Sequence, residues 1–310
     1  LNFQVTILGS GAATPTLNRA PSGQVVCIHD KFFLIDCGEG TQVQLRKFKI
    51  KFQKIQHIFI SHLHGDHYLG LPGLMSSMHL LGRTIPLHIY GPPDLRDLLD
   101  LNMRVSDTYL NYSWHYHPIE RNFSGKIMED NSMEVHTFPL KHRIQCHGYI
   151  FREKPRKPRV LKEAVMEFGL GLEQVKQIKR GEDVVLADGS IVPFHKVGEW
   201  PYSPRSYAYC SDTAYTKDIL PFISDSSLLY HESTFLEEHK LRASETYHST
   251  AAQAAAIARE SGSGRLLLGH FSGRYNHIQD FINEAAPIFT NVIAAEDGLV
   301  IDIPINFSAT

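Results

Sequence analysis

The sequence predicts an α/β protein built as two β-sheets packed face to face with helices on their outer sides. Three observations carry this. Short β-rich runs alternate with helical patterns along the chain. Several strands also follow one another without a helix between them, which a doubly wound parallel sheet does not allow. Finally, 310 residues with 43% hydrophobic and 21% charged side chains can bury an extended core.

In chain order, Phe3 to Leu8, Gln24 to His29 and Phe32 to Asp36 read as strands, and Glu39 to Lys47 as a helix. Ile55 to Ile60 is a strand, Gly70 to Leu81 a helix and Leu87 to Tyr90 a strand. Pro93 to Met103 is a helix whose early proline suits a first turn. Strand patterns run from Tyr112 to Ile150. Ser206 to Cys210 and Ser227 to His231 are strands separated by a short helix. The alanine-rich Thr250 to Glu260 is a strong helix, Arg265 to Leu268 a strand and His277 to Ala286 a helix.

Composition excludes several classes. The longest apolar runs, such as Val25 to Ile28, fall far short of the roughly 18 residues of a membrane span. The opening LNFQVTILGSG reads as a strand and turn rather than a signal peptide. Four cysteines (Cys27, Cys37, Cys146, Cys210) form no CxxC pair, which points to a reducing, cytoplasmic setting without a disulfide scaffold. A net charge of -2 excludes a uniformly basic nucleic-acid binder, but not a local basic face. That face has an address: between Arg152 and Arg180, nine Lys and Arg meet four Glu, a net of +5, leaving about -7 for the rest. The segment 152–192 therefore reads as an insertion, either a solvated linker or a projecting arm that grips phosphates. The Gly9-Ser10-Gly11-Ala12-Ala13-Thr14 loop lacks the third glycine of a dinucleotide fingerprint and is followed by Pro15, so no nucleotide cofactor is expected.

Histidine is the anomaly, with 18 copies against 17 Phe. Three of them crowd into Ser61-His62-Leu63-His64-Gly65-Asp66-His67, directly after a strand. Neutral imidazoles and carboxylates suit zinc or a similar divalent ion, and a turn after a strand lets adjacent side chains diverge toward two ions. Gly65 is expected to permit a tight bend.

HLHGDH resembles the HxHxDH signature of the metallo-β-lactamase superfamily. Further motifs lie on either side, in order: Pro21-Ser22-Gly23, Phe33 to Glu39, Pro139-Leu140-Lys141-His142 before Gly148-Tyr149, Tyr209 to Thr213, His231 to Phe235, Tyr247-His248-Ser249-Thr250, and Gly269-His270-Phe271-Ser272 with Arg274-Tyr275. As an ordered set covering essentially the whole chain, they resemble the ribonuclease Z family, the tRNA 3′-processing endonucleases. The resemblance implies a four-layer αβ/βα metallo-β-lactamase sandwich, a single domain over 1–310 with a flexible basic tRNA-binding arm at 152–192.

It further implies two Zn2+ ions, or other divalent metals: His62, His64 and His142 hold one, Asp66, His67 and His270 the other, and Asp212 bridges them. A metal-bound hydroxide would attack the phosphorus, with Asp66 receiving a proton and His248, backed by Glu232, protonating the leaving ribose oxygen. The implied partners are precursor tRNA and a second copy of the chain. The alternatives are a hydrolase of small phosphodiesters or other esters, which has no need of the arm or the His248/Glu232 pair, and a catalytically silent RNA-binding scaffold. One departure stands out: family arms often carry Gly-Pro ahead of a KxKxGE-like stretch, whereas Gln177 to Glu182 follows Leu172-Glu173.

Overall fold

A computed structural model describes residues 1–305. Its strands are β1 (Phe3–Gly9), β2 (Gly23–Ile28), β3 (Lys31–Cys37), β4 (Ile55–Phe59), β5 (Leu87–Gly91), β6 (Trp114–Pro118), β7 (Gly125–Glu129), β8 (Met133–Pro139) and β9 (His147–Glu153). The short β10 (Arg159–Val160), β11 (Val184–Val185), β12 (Ile191–Val192) and β13 (Gly198–Glu199) follow, and then β14 (Ser206–Cys210), β15 (Leu228–Glu232), β16 (Leu266–Gly269), β17 (Val292–Ala294) and β18 (Val300–Asp302). They form two seven-stranded sheets, ordered β18-β1-β2-β3-β4-β5-β6 and β17-β16-β15-β14-β9-β8-β7, and two small pairs, β10-β13 and β11-β12.

Between the large sheets the layer is aromatic. Phe33 and Phe59 of the first meet Phe151 of the second at ring-centroid distances of 5.6 and 5.4 Å. On the outer side of the first sheet, helices α1 (Thr41–Lys47), α2 (Gly65–Tyr68), α3 (Leu71–Leu80) and α4 (Asp94–Val105) follow in order. Leu45, Leu74, Met78, Leu95 and Leu99 from three of these form one buried cluster with Leu34, Ile58 and Ile89 of the strands. This is the apolar stripe of a surface helix meeting one face of a sheet.

The remaining helices are α5 (Lys162–Glu167), α6 (Leu172–Arg180), α7 (Phe194–Val197), α8 (Leu220–Ile223), α9 (Lys240–Glu245), α10 (Ala251–Glu260) and α11 (Gln279–Ala285). Helix α10 packs on β15 and β16, and α11 on β17, which completes the fourth layer. Helix α10 starts where the sequence places a cap: Thr250 accepts from the Gln253 backbone N–H at 3.2 Å and the Gln253 side chain accepts from the Thr250 N–H at 3.0 Å, a reciprocal capping box.

The predicted elements are present within one or two residues at most ends. The two C-terminal strands, β17 and β18, are not among them; each is only three residues long. Gly65 also differs from expectation. It opens α2 without a left-handed backbone, and a Cβ there would lie 2.7 Å from the Leu69 side chain, so close packing rather than a bend explains the glycine.

Residues 129–134 and 152–205 group into a second compact unit, distinct from the one that holds the aromatic layer and the histidine motif. The unit containing 152–192 thus extends to Arg205. It has its own apolar cluster, with Ala164, Leu170, Ile178, Val184, Val192 and Val197 buried together. Within it Arg205 is buried and forked onto Glu153, Nη2 to Oε1 at 2.7 Å and Nε to Oε2 at 3.0 Å. This paired geometry satisfies both groups away from water.

Candidate metal centre

The expected site residues all meet at one end of the sandwich. His62 and His64 follow β4, Asp66 and His67 lie in α2, and Asp212, Glu232 and His270 stand at the carboxyl ends of β14, β15 and β16. These last three strands are parallel neighbours, so their loops open on the same side. His142 sits in the β8–β9 loop, which is tied to the Asp212 segment by Lys141 N–H to Thr213 Oγ1 (3.2 Å) and Ala214 N–H to the Lys141 carbonyl (2.8 Å). Gly38, after β3, passes so close to α2 that a Cβ would lie 2.3 Å from the Asp66 carbonyl oxygen.

Two donor groups that share no residue emerge, and a third, Asp212, His248 and His270, overlaps them. His62, His64, His142 and Asp212 form one; Asp66, His67 and His270 form the other, each with ligand atoms within 4.8 Å of one another. In the first, His64 Nδ1 lies 3.0 Å from His62 Nε2 and 3.1 Å from His142 Nε2. In the second, the Nε2 atoms of His67 and His270 are 3.3 Å apart, each 3.4 Å from Asp66 Oδ2. Asp212 addresses both: Oδ2 is 3.5 Å from His62 Nε2, while Oδ1 is 3.4 and 3.3 Å from the Nε2 atoms of His67 and His270. That buried Oδ1 accepts no hydrogen bond among the described residues. Converging imidazole nitrogens and an orphaned buried carboxylate oxygen fit a divalent cation.

Electrostatics agree. Burial would raise the pKa of Asp212, but His270, His67 and His62 hold it well below the usual carboxylate range. Asp66 is likewise held low against its burial, chiefly by His67 and His270. Burial drives His62 well below the ordinary imidazole value, keeping its lone pair available.

A second layer orients the rings. His67 Nδ1–H donates to Asp36 Oδ2 at 2.7 Å and His142 Nδ1–H to the Tyr247 carbonyl at 3.0 Å. His62 Nδ1 pairs with Ser61 Oγ at 3.0 Å, and His270 Nδ1 with Thr234 Oγ1 at 2.9 Å. Such partners fix the tautomer and aim the other nitrogen inward. Tyr247 adopts a left-handed φ of 59°, which turns its carbonyl toward His142.

Sequence reasoning reaches Asp36 only as part of a motif. It is fully buried and accepts from Ser61 N–H, Ser61 Oγ–H and Tyr209 O–H as well as His67. Ala13, from the loop that lacks a full nucleotide fingerprint, donates its backbone N–H to Asp66 Oδ2 at 2.8 Å. Among the cysteines, Cys210 stands nearest Asp212 in sequence, yet it is Cys146 whose sulfur lies 3.6 Å from His62 Nδ1.

Beside these donor groups, His248 Nδ1–H donates to Glu232 Oε1 at 2.8 Å. Burial disfavours the imidazolium, but the Glu232 carboxylate more than offsets this, and the His248 pKa is pushed up to about 9. Glu232 is fully buried and also accepts from the backbone N–H groups of Thr213, Thr234 and Ser249. His231 points away: its Nδ1–H donates to the Glu232 carbonyl, and it is a buried strand end. The cavity over the site holds about 700 Å³ and is lined by His64, Asp66, His142, Asp212, His248 and His270 with Arg143, Arg242 and Arg274.

A nest of imidazoles and carboxylates at the open strand ends of a two-sheet, four-layer sandwich defines a metallo-β-lactamase-fold hydrolase that works with divalent metal. Known proteins narrow the class. A family model described as Anti-Pycsar protein Apyc1 matches residues 3–156, just under half of the chain. Over the whole chain the match is different. Ribonuclease Z of Parabacteroides distasonis is 42% identical over 302 residues, covering 97% of this chain and 99% of its own length. Ribonuclease Z of Porphyromonas gingivalis is 44% identical with the same coverage. The crystal structure of human tRNase Z, short form, aligns at a TM-score of 0.71 and 30% identity over 97% of this chain and all of its own. The chain belongs to the ribonuclease Z family of metal-dependent endoribonucleases.

Proposed function

We propose that this endoribonuclease matures the 3′ end of precursor tRNA, leaving a 3′-hydroxyl on the tRNA and a 5′-phosphate on the trailer, with two divalent ions, zinc by preference. The observation that carries the two-ion reading is Asp212, whose two oxygens face the two donor groups separately. His62, His64 and His142 would hold one ion, Asp66, His67 and His270 the other, with Asp212 between them. Bound there, a pair of divalent ions lowers the pKa of water and offsets charge on the phosphoryl oxygens.

The chain's own residues supply the proton movements. Asp66, beside the place the attacking water would occupy, would accept its proton, a role assigned by family resemblance. His248 gives one to the departing ribose oxygen; it is charged at neutral pH because Glu232 stands 2.8 Å behind it. Glu232 itself, locked by three backbone N–H groups, holds the imidazole in place. The basic segment 152–192 serves as the tRNA-gripping arm, and by family resemblance the working form is a homodimer in which each arm serves the partner's active site. A cytoplasmic setting accords with four buried, unpaired cysteines.

The decisive experiment incubates zinc-loaded protein with a 3′-extended precursor tRNA and, separately, with a chromogenic aryl phosphodiester. Metal is counted in parallel. Two ions per chain and a single cut at the tRNA 3′ end are expected, both lost in Asp212→Ala. Turnover of the small ester with intact precursor tRNA would overturn the tRNA reading; full metal content in Asp212→Ala would overturn the bridge.

A further inference from the structure

Four of the five histidines at the metal centre direct Nε2 inward and donate Nδ1–H to a protein oxygen: Ser61 Oγ for His62, Asp36 for His67, the Tyr247 carbonyl for His142 and Thr234 Oγ1 for His270. His64 is reversed. Its Nδ1 is the inward atom, 3.0 and 3.1 Å from the Nε2 atoms of His62 and His142. A neutral imidazole that presents Nδ1 as a ligand carries its hydrogen on Nε2, and that N–H needs an acceptor.

What faces His64 Nε2 is Arg143, whose Nη2 is 3.3 Å away. A guanidinium has five donors and no acceptor. His64 as a ligand and Arg143 are therefore two donors converging on one spot, and no oxygen among the described residues hydrogen-bonds either of them there. Arg143 is exposed, makes no ion pair among the described residues, and lines the same cavity as His64 and His248. Two convergent donors, one permanently charged, call for an anionic oxygen that the protein does not provide.

The geometry points to Arg143, paired with the outward Nε2–H of His64, as a phosphate-positioning residue that takes a phosphoryl oxygen of the substrate. This deepens the ribonuclease reading and rests on it for the substrate, but the chemistry is that of any phosphate placed in this cavity. The planar fork of arginine suits such an oxygen, and lysine would recover the charge without the fork.

The test uses zinc-loaded full-length protein and inorganic phosphate as the probe, its binding measured by calorimetry, beside KM and kcat on precursor tRNA. Arg143→Gln should weaken phosphate binding about 10- to 100-fold, the range of a charge-assisted hydrogen bond, with zinc content unchanged. KM for precursor tRNA should rise more than kcat falls, and Arg143→Lys should restore part of both. Long-range 1H–15N spectra of zinc-loaded wild type should show the His64 Nε2–H shifting on phosphate addition. Unaltered phosphate affinity in Arg143→Gln would overturn the proposal while leaving the ribonuclease reading intact. Loss of zinc in that variant would also overturn it, by making Arg143 a support of His64 instead. Phosphate binding that depends on Arg143 in a protein unable to cut precursor tRNA would uphold the proposal and sink the tRNA reading.

Discussion

Replacing Asp36 by Asn isolates a single proton. Asp36 has a φ of 56°, a left-handed conformation that Asn accepts as readily as Asp, so the exchange adds no backbone strain. With Oδ1 still accepting from Ser61 N–H, the new amide NH2 falls where Oδ2 took three donors: Ser61 Oγ–H at 2.9 Å, Tyr209 O–H at 2.7 Å and His67 Nδ1–H at 2.7 Å. The two hydroxyls can rotate and accept. His67 cannot, unless its hydrogen moves to Nε2, the atom facing His270 and Asp212. A metal would then have to displace that hydrogen.

Losing an outer partner of this kind weakens metal binding about 10- to 100-fold, or about 1.4–2.7 kcal/mol. Zinc affinity by chelator competition, together with the His67 tautomer from long-range 1H–15N spectra, measures both halves of the argument. Zinc affinity within twofold of wild type, with His67 still carrying its hydrogen on Nδ1, would refute it.

Other perturbations separate the remaining roles. His248→Ala should cost about 10²–10⁴-fold on precursor tRNA, whose ribose leaving group needs a proton, and far less on an activated aryl phosphodiester; equal losses would make His248 structural. Exchanging Arg156, Lys157, Arg159 and Lys162 for Gln should weaken tRNA binding and flatten its salt dependence, by about 0.9 in log–log slope for each phosphate no longer neutralised, while sparing the small ester; an unchanged slope would remove this stretch from the RNA interface. Heterodimers of such a chain with an Asp212→Ala chain should recover activity that neither homodimer has, and inactive heterodimers would mean that each arm serves its own subunit. For His147, burial pushes the pKa down to about 4 from an ordinary 6.5, so the unfolded chain takes up a proton before the folded one as pH falls. Up to about 3 kcal/mol of stability should disappear between pH 6.5 and 4, and His147→Gln should remove that component; denaturation midpoints that fall equally in both proteins over this range would count against it.

The reach of the sequence is clearest where chemistry is local. HLHGDH places four candidate ligands on one short stretch, and their residue types alone point to a cation. His142, Asp212 and His270 become legible only through the order of surrounding motifs, because each reaches the site from a different loop and a single His or Asp has no period. Asp36 lies in one of those motifs, yet its role depends on Ser61, from the loop after β4, and Tyr209 of β14. Ala13 acts through its backbone, which residue identity does not report. The same holds for β17 and β18: three residues cannot display an alternation, and they are strands because β16 and β1 offer them edges.

The division of the two donor groups between the two halves of the sandwich would make a bound metal a participant in folding. His62, His64, Asp66 and His67 come from the β4 end of the first sheet, whereas His142, Asp212 and His270 come from the second, and neither donor group is complete within one sheet. Ser61 Oγ and Ser211 Oγ, 3.1 Å apart, mark the seam. An ion that binds only the docked arrangement stabilises docking by RT ln(1 + [L]/Kd), about 2.7 kcal/mol at a hundredfold excess over Kd. Supply of the divalent metal would thus set how firmly the two halves of a newly made chain stay joined, before any RNA is met.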